Sequence, residues 1–154
     1  MKVNEAMSLP RFNADADQII KSVAQQIARE YEIDFVGTEH ILLAILRHGQ
    51  GLGAEVLHGF GLDEGRVKTE IDEQLQREKE DTWVFGRLPG SPHYRNVVEL
   101  AIDEATQLES NYIGSEHLLL GLLREPGSMA YRVLAKLGVS LATCRERVLE
   151  RLSA

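Results

Sequence analysis

A single cysteine, Cys144, rules out an intramolecular disulfide and fits a reducing compartment. No apolar run approaches the roughly 20 residues that a membrane-crossing helix needs. Met1 to Pro10 lacks the apolar segment of a secretion signal, so cytoplasm is the expected location. No stretch alternates apolar with polar residues, so no strand is expected. The chain contains no G-x-x-x-x-G-K-[ST] loop to cradle nucleotide phosphates, no H-E-x-x-H and no Cys/His cluster. No metal, cofactor or catalytic constellation is therefore predicted. Positive charge is in deficit: the formal net charge is −7, which speaks against general binding to nucleic acid or an anionic membrane.

What is present is a duplication. Phe35-Val36-Gly37-Thr38-Glu39-His40-Ile41-Leu42-Leu43 reappears as Tyr112-Ile113-Gly114-Ser115-Glu116-His117-Leu118-Leu119-Leu120, and Gly37 to Gly114 is a shift of 77 positions (114 − 37). The same shift carries Ala24 to Ala101, Ala28 to Ala105, Arg47 to Arg124, Val56 to Val133, Leu57 to Leu134 and Gly61 to Gly138. Each copy reads as a glycine, a capping hydroxyl on Thr38 or Ser115, a first-turn acid and then a nearly continuous apolar run. A helix apolar on all sides is a buried one. Each copy should found the core of its own half, with its acid-bearing start facing outward.

The rest of the chain takes helical period. Ile20, Val23, Ala24, Ile27, Ala28 and Tyr31 share one face of a first helix beginning near Ala14. A central helix spans about 39–48. A short helix carries Val56, Leu57 and Phe60 and stops at Gly61. Asp63 is expected to cap a fourth helix striped by Val67, Ile71 and Leu75. The second half repeats the order, with Tyr94, Val97, Val98, Ala101, Ala105 and Leu108 on its first helix. Leu141, Cys144, Val148 and Leu152 stripe its last one. The expected architecture is all-α, an eight-helix bundle of two four-helix repeats. Residues 1–13 form an arm, 14–81 the first repeat, 82–90 a linker broken by Gly and Pro, and 91–154 the second repeat. One compact domain of 1–154 is preferred, because either half alone approaches the lower limit for a self-sufficient core.

The double G-[TS]-E-H-[IL]-L-L signature, followed by L-R, V-L and L-G, resembles the Clp N-terminal domain family. This is the double-repeat module that precedes the ATPase rings of ClpA- and ClpC-type unfoldases. Ser91-Pro92 and the run Val97-Val98-Glu99-Leu100-Ala101-Ile102-Asp103-Glu104-Ala105 are most similar to the ClpC branch. The resemblance implies a pseudo-twofold bundle that docks substrates or adaptors of a protein-degrading machine, or the Clp unfoldase and protease subunits themselves, without catalysis of its own.

It also implies a ligand. In ClpC-type relatives the glutamates matching Glu39 and Glu116 hold the guanidinium of phosphorylated arginine, and a Thr at the start of a repeat's first helix helps to hold the phosphate. The chemistry is sound: a carboxylate meets a guanidinium bidentately, and a helix start receives an anion. Ser91 keeps a hydroxyl in the second repeat. In the first, the shift of 77 lands on Ala14, leaving Asn13 as a partial substitute. The basic residue that follows in the family is replaced by Ala16 and His93. Each Glu also serves as a plain first-turn acid, and Ser91 as an N-cap ahead of Pro92 at the first helical position. His40 and His117 are read as helix-start histidines bonded to a neighbouring loop, Cys144 as a buried inert thiol, and Trp83 and Phe85 as linker residues that cover a groove or contact a protein. The alternative function is a bundle that binds a small ligand or basic peptide unrelated to proteolysis.

Overall fold

The computed structural model describes residues 11–33, 35–77 and 91–153, excepting the side chains of Gln76 and Arg77. Trp83, Phe85 and the 82–90 linker lie outside the described residues.

The first helix, α1, spans 14–30 and is built from Ala14–Gln18, Ile19–Val23 and Ala24–Glu30. Its middle segment is a π turn, in which the Ala24 N–H donates to the Ile19 carbonyl five residues back. Then come α2 (Thr38–His48), α3 (Leu52–Gly59) and α4 (Glu64–Arg77). The second half supplies α5 (Pro92–Gln107), α6 (Ser115–Leu122), α7 (Met129–Lys136) and α8 (Leu141–Ser153). The eight helices appear where the periodicity placed them. Asp63 caps α4 by accepting from the Arg66 N–H at 2.8 Å. Gly61 (φ +81°) and Gly138 (φ +86°) close α3 and α7 in left-handed conformation. The next residue in each case reaches back, Leu62 to Leu57 and Val139 to Leu134, satisfying a terminal carbonyl.

The π turn explains a misalignment of the repeats. Residues 14–30 make 17 positions, whereas 92–107 make 16. A π turn absorbs one extra residue. From Ala24 onward the shift is 77; before the π turn it is 78. Asn13, not Ala14, is therefore the counterpart of Ser91, and Asp15, not Ala16, the counterpart of His93. The backbone agrees: the Asn13 N–H donates to Ile113 O, and the Ser91 N–H to Val36 O, its counterpart under the shift of 77.

Two short features escape the periodicity. Arg11–Phe12 (β1) pairs in parallel with Tyr112–Ile113 (β2), so the all-α expectation misses a two-residue bridge. The hydroxyls Thr38 and Ser115 are also not the caps of their own helices. Gly37 and Gly114 hold the N-cap positions of α2 and α6. Thr38 Oγ1 instead accepts from the Ala130 N–H at 3.1 Å, at the start of α7. Ser115 Oγ accepts from the Gly53 N–H at 2.8 Å, at the start of α3. Gly53 and Ala130 are themselves related by the shift of 77. Each central helix thus caps the third helix of the opposite repeat, because the pseudo-twofold brings α3 against α6 and α7 against α2. The fourth helices follow, with α4 packing on α7 and α8 on α3.

The core runs through both halves. Ile41, Leu42 and Ile45 of α2 and Leu118, Leu119 and Leu120 of α6 are wholly buried. Gly121 lets α5 approach α6 closely, since a Cβ there would stand 2.7 Å from Val97 O. No helix among the described residues is long and apolar enough to cross a membrane.

Candidate functional site

Each central helix starts with the same small construction. His40 Nδ1 accepts from the Gly37 N–H at 2.8 Å, and His117 Nδ1 from the Gly114 N–H at 2.8 Å. This is the loop-bonding role expected of both histidines. It fixes the ring as a neutral imidazole with its proton on Nε2. Burial drives both pKa values down, against the opposing charges of Glu39 and Glu116. Neither Nε2 has a hydrogen-bond partner among the described residues. Tyr31 lies against the His40 ring, with centroids 5.7 Å apart, and Tyr112 against that of His117 at 5.6 Å.

Both acids fold back over the cap glycine. A Cβ on Gly37 would stand 2.6 Å from Glu39 Oε1, and one on Gly114 2.5 Å from Glu116 Oε1. Only glycine leaves room for that carboxylate. The expectation that the acid-bearing starts face outward is corrected: Glu39 is 8% exposed and Glu116 2%. The fold-back over glycine is the physical reason.

The two carboxylates differ in their partners. Tyr112 Oη donates to Glu116 Oε2 at 2.8 Å. Burial and this bond push the Tyr112 phenol up to about 12. In the first repeat Phe35 occupies the matching position and has no hydroxyl to give. Among the described residues Glu39 has no hydrogen-bond donor, and His40 Nε2 stands 3.8 Å from its Oε2.

The remaining candidates are brought together across the repeats. Asn13 caps α1 by accepting from the Ala16 N–H at 2.9 Å. Its Nδ2 lies 3.1 Å from where a Cβ on Gly114 would stand, beside Glu116. Ser91 caps α5 by accepting from the Tyr94 N–H at 3.0 Å, with Pro92 in the first turn. Its backbone holds Val36, next to Gly37 and Glu39. The pairs are therefore Asn13 with Glu116 and Ser91 with Glu39. The parallel β1–β2 bridge and its counterpart, the Ser91 N–H bond to Val36 O, cross the helix starts over between the repeats.

A second layer was not visible in the sequence. His48 Nε2 meets Asp15 Oδ1 at 2.8 Å, and His93 Nδ1 meets Glu125 Oε2 at 2.6 Å. Positions 48 and 125 differ by 77, and 15 and 93 by 78. The same contact is made in both halves with acid and imidazole exchanged. Bonds from Asn96 and His93 outweigh burial and hold the Glu125 carboxyl below its ordinary range. Cys144 is buried, and burial pushes its thiol up to about 12, matching the inert role expected of it. No group of three His, Cys, Asp or Glu suited to a metal occurs among the described residues.

This arrangement can be set beside known proteins. The model of the Clp repeat (R) N-terminal domain matches residues 11–121 and 90–154. The chain belongs to that Clp repeat N-terminal domain family. It is 37% identical over 148 residues to the negative regulator of genetic competence ClpC/MecB of Bacillus subtilis, covering 96% of this chain and 18% of that protein. It is 38% identical over 161 residues to the chloroplastic chaperone protein ClpC1 of Arabidopsis thaliana, covering 96% and 17%. The chain thus spans under a fifth of the length of these curated relatives. Among solved structures, the N-terminal domain of the chaperone ClpD from Arabidopsis thaliana superposes with a TM-score of 0.76 at 22% identity, over 97% of this chain and 99% of that one. The Hsp104 N-terminal domain from Candida albicans gives 0.67 at 18% identity, over 91% and 90%. These likenesses establish the Clp repeat fold of two tandem four-helix units.

Proposed function

We propose that this Clp repeat domain is a non-enzymatic docking module of a Clp unfoldase and protease system, and that it grips client or adaptor proteins through phosphorylated arginine at the starts of its central helices. The observation that carries the reading is Glu39. A carboxylate 8% exposed and without a hydrogen-bond donor among the described residues is costly unless something completes it. A guanidinium supplies two parallel donors and the opposite charge. Ser91 and the first turn of α5 adjoin it and suit the phosphoryl group of the same side chain. Asn13 and Glu116 hold the related positions in the other half, where Tyr112 already donates to the carboxylate.

The test compares an unfolded protein phosphorylated on arginine with the same protein unmodified, by fluorescence anisotropy against this chain. Tighter binding of the phosphorylated form, competed by free phosphoarginine, supports the reading. Equal binding of both forms overturns the phosphoarginine part. Recovery of Clp ATPase or protease subunits in a pull-down from the source cells separates the Clp role from a bundle that binds some unrelated basic peptide.

A further inference from the structure

We infer that the two pseudo-equivalent sites have diverged, so that the Ser91–Glu39 site alone takes a phosphorylated guanidinium while the Asn13–Glu116 site is closed to it. The inference rests on the reading just proposed and adds which half performs it.

Two differences point the same way. The first is the carboxylate. Glu116 already accepts from Tyr112 Oη at 2.8 Å, whereas the matching position in the first repeat is Phe35 and Glu39 has no such donor among the described residues. A guanidinium arriving at Glu116 must break a charge-assisted bond that has no counterpart at Glu39.

The second is the charge at the helix that would receive the phosphoryl group. Under the shift of 78 the second residue of the helix is Asp15 in α1 and His93 in α5. The fourth is Asp17 in α1 and Arg95 in α5. The α1 start therefore carries two acids and the α5 start none. Like charge at a helix start cancels the attraction of the dipole for an anion, and an added cation reinforces it. Asp17 is paired to Lys21 at 2.9 Å, but both are well exposed and the pair is screened.

The buried imidazole is common to both sites: His40 Nε2 stands 3.8 Å from Glu39 Oε2, and like His117 Nε2 it has no hydrogen-bond partner among the described residues. What marks the first site as incomplete is the buried carboxylate beside that imidazole, which lacks the donor that Tyr112 gives Glu116.

Calorimetric titration of the whole chain with free phosphoarginine, with unmodified arginine as control, reads this directly. The parent should bind one equivalent. Glu39→Gln should abolish that binding and Glu116→Gln should leave it within about twofold. Phe35→Tyr, which adds the hydroxyl of the second site to the first, should weaken it about tenfold or more. Thermal melts and far-UV circular dichroism check that each variant is folded. Two equivalents of similar affinity, or one equivalent that disappears with Glu116→Gln and survives Glu39→Gln, would overturn the divergence while leaving the docking proposal standing. No binding of phosphoarginine by the parent would remove both.

Discussion

Replacing Ser115 by Ala should destabilise a helix in the other half of the molecule. Ser115 is 1% exposed, and its hydroxyl accepts from the Gly53 N–H, 62 residues away, at 2.8 Å. Alanine fills most of the same volume but leaves that buried N–H without a partner. The cost of such an orphan is about 1–3 kcal/mol, in line with the loss of an ordinary N-cap. For a domain of this size a central value of about 2 kcal/mol lowers the Tm by about 4–8 °C. Thr38→Val makes the same cut on the opposite side, releasing the Ala130 N–H. The two sites share no partner, so the double variant should lose the sum within about 0.5 kcal/mol. Hydrogen exchange supplies the sharper readout. Ser115→Ala should speed exchange at Gly53, and Thr38→Val at Ala130, more than within the helix that carries the mutation. A loss below about 0.5 kcal/mol, or faster exchange confined to residues 116–118, would refute the exchange of caps between repeats.

Three further outcomes follow from the packing. Gly53→Ala should cost about 1–3 kcal/mol, because a Cβ there would meet the Ser115 carbonyl oxygen at 2.7 Å; chemical denaturation measures it. Glu104 is 1% exposed and accepts from Arg124 at 3.0 Å and Arg145 at 2.6 Å, so Glu104→Gln should destabilise by about 1–3 kcal/mol, moderated because both arginines are partly exposed. Stability should also fall with acid. His40 and His117 have folded pKa values below the unfolded value of about 6.5, so below that pH the unfolded chain binds protons that the fold refuses. Thermal melts should show Tm dropping as pH falls from 7 toward 5.5, and His117→Gln should flatten that drop.

The sequence carried the architecture because duplication and apolar period are both local signals. Gly37 and Gly114, the two greasy central helices, the Asp63 cap and the left-handed Gly61 and Gly138 could all be read from spacing. Cys144 was legible as buried from its place on the α8 stripe. Three features were not legible, for a common reason. The π turn at Ile19–Val23 leaves no residue signature, so the shift of 77 sets Ala14 against Ser91 and leaves the true counterpart Asn13 one position away. The Thr38 and Ser115 hydroxyls look like local caps, yet their donors lie 92 and 62 residues away. The crossing of helix starts, which bonds Ser91 to Val36 three residues before Glu39, is a tertiary fact that no window along the chain contains. Laying Tyr112 over Phe35 does show that the repeats differ by a hydroxyl four residues before the acid.

The asymmetry of these sites has a physical logic. Duplication yields two equal starts, and a second binding site is kept only if it is used. Tyr112 satisfies Glu116 internally, which rigidifies the second half and spares a buried charge. Glu39 lacks such a donor among the described residues, and the ligand proposed for it would offset that local cost.

The most direct test of a docking role at the helix starts is a nuclear magnetic resonance titration of the labelled chain with phosphoarginine. The account predicts shifts concentrated at the amides of Gly37 to His40 and Ser91 to Arg95. Shifts confined to the open groove lined by Gln25, Arg29, Glu32 and Ile33, or no shifts at saturating ligand, would contradict it.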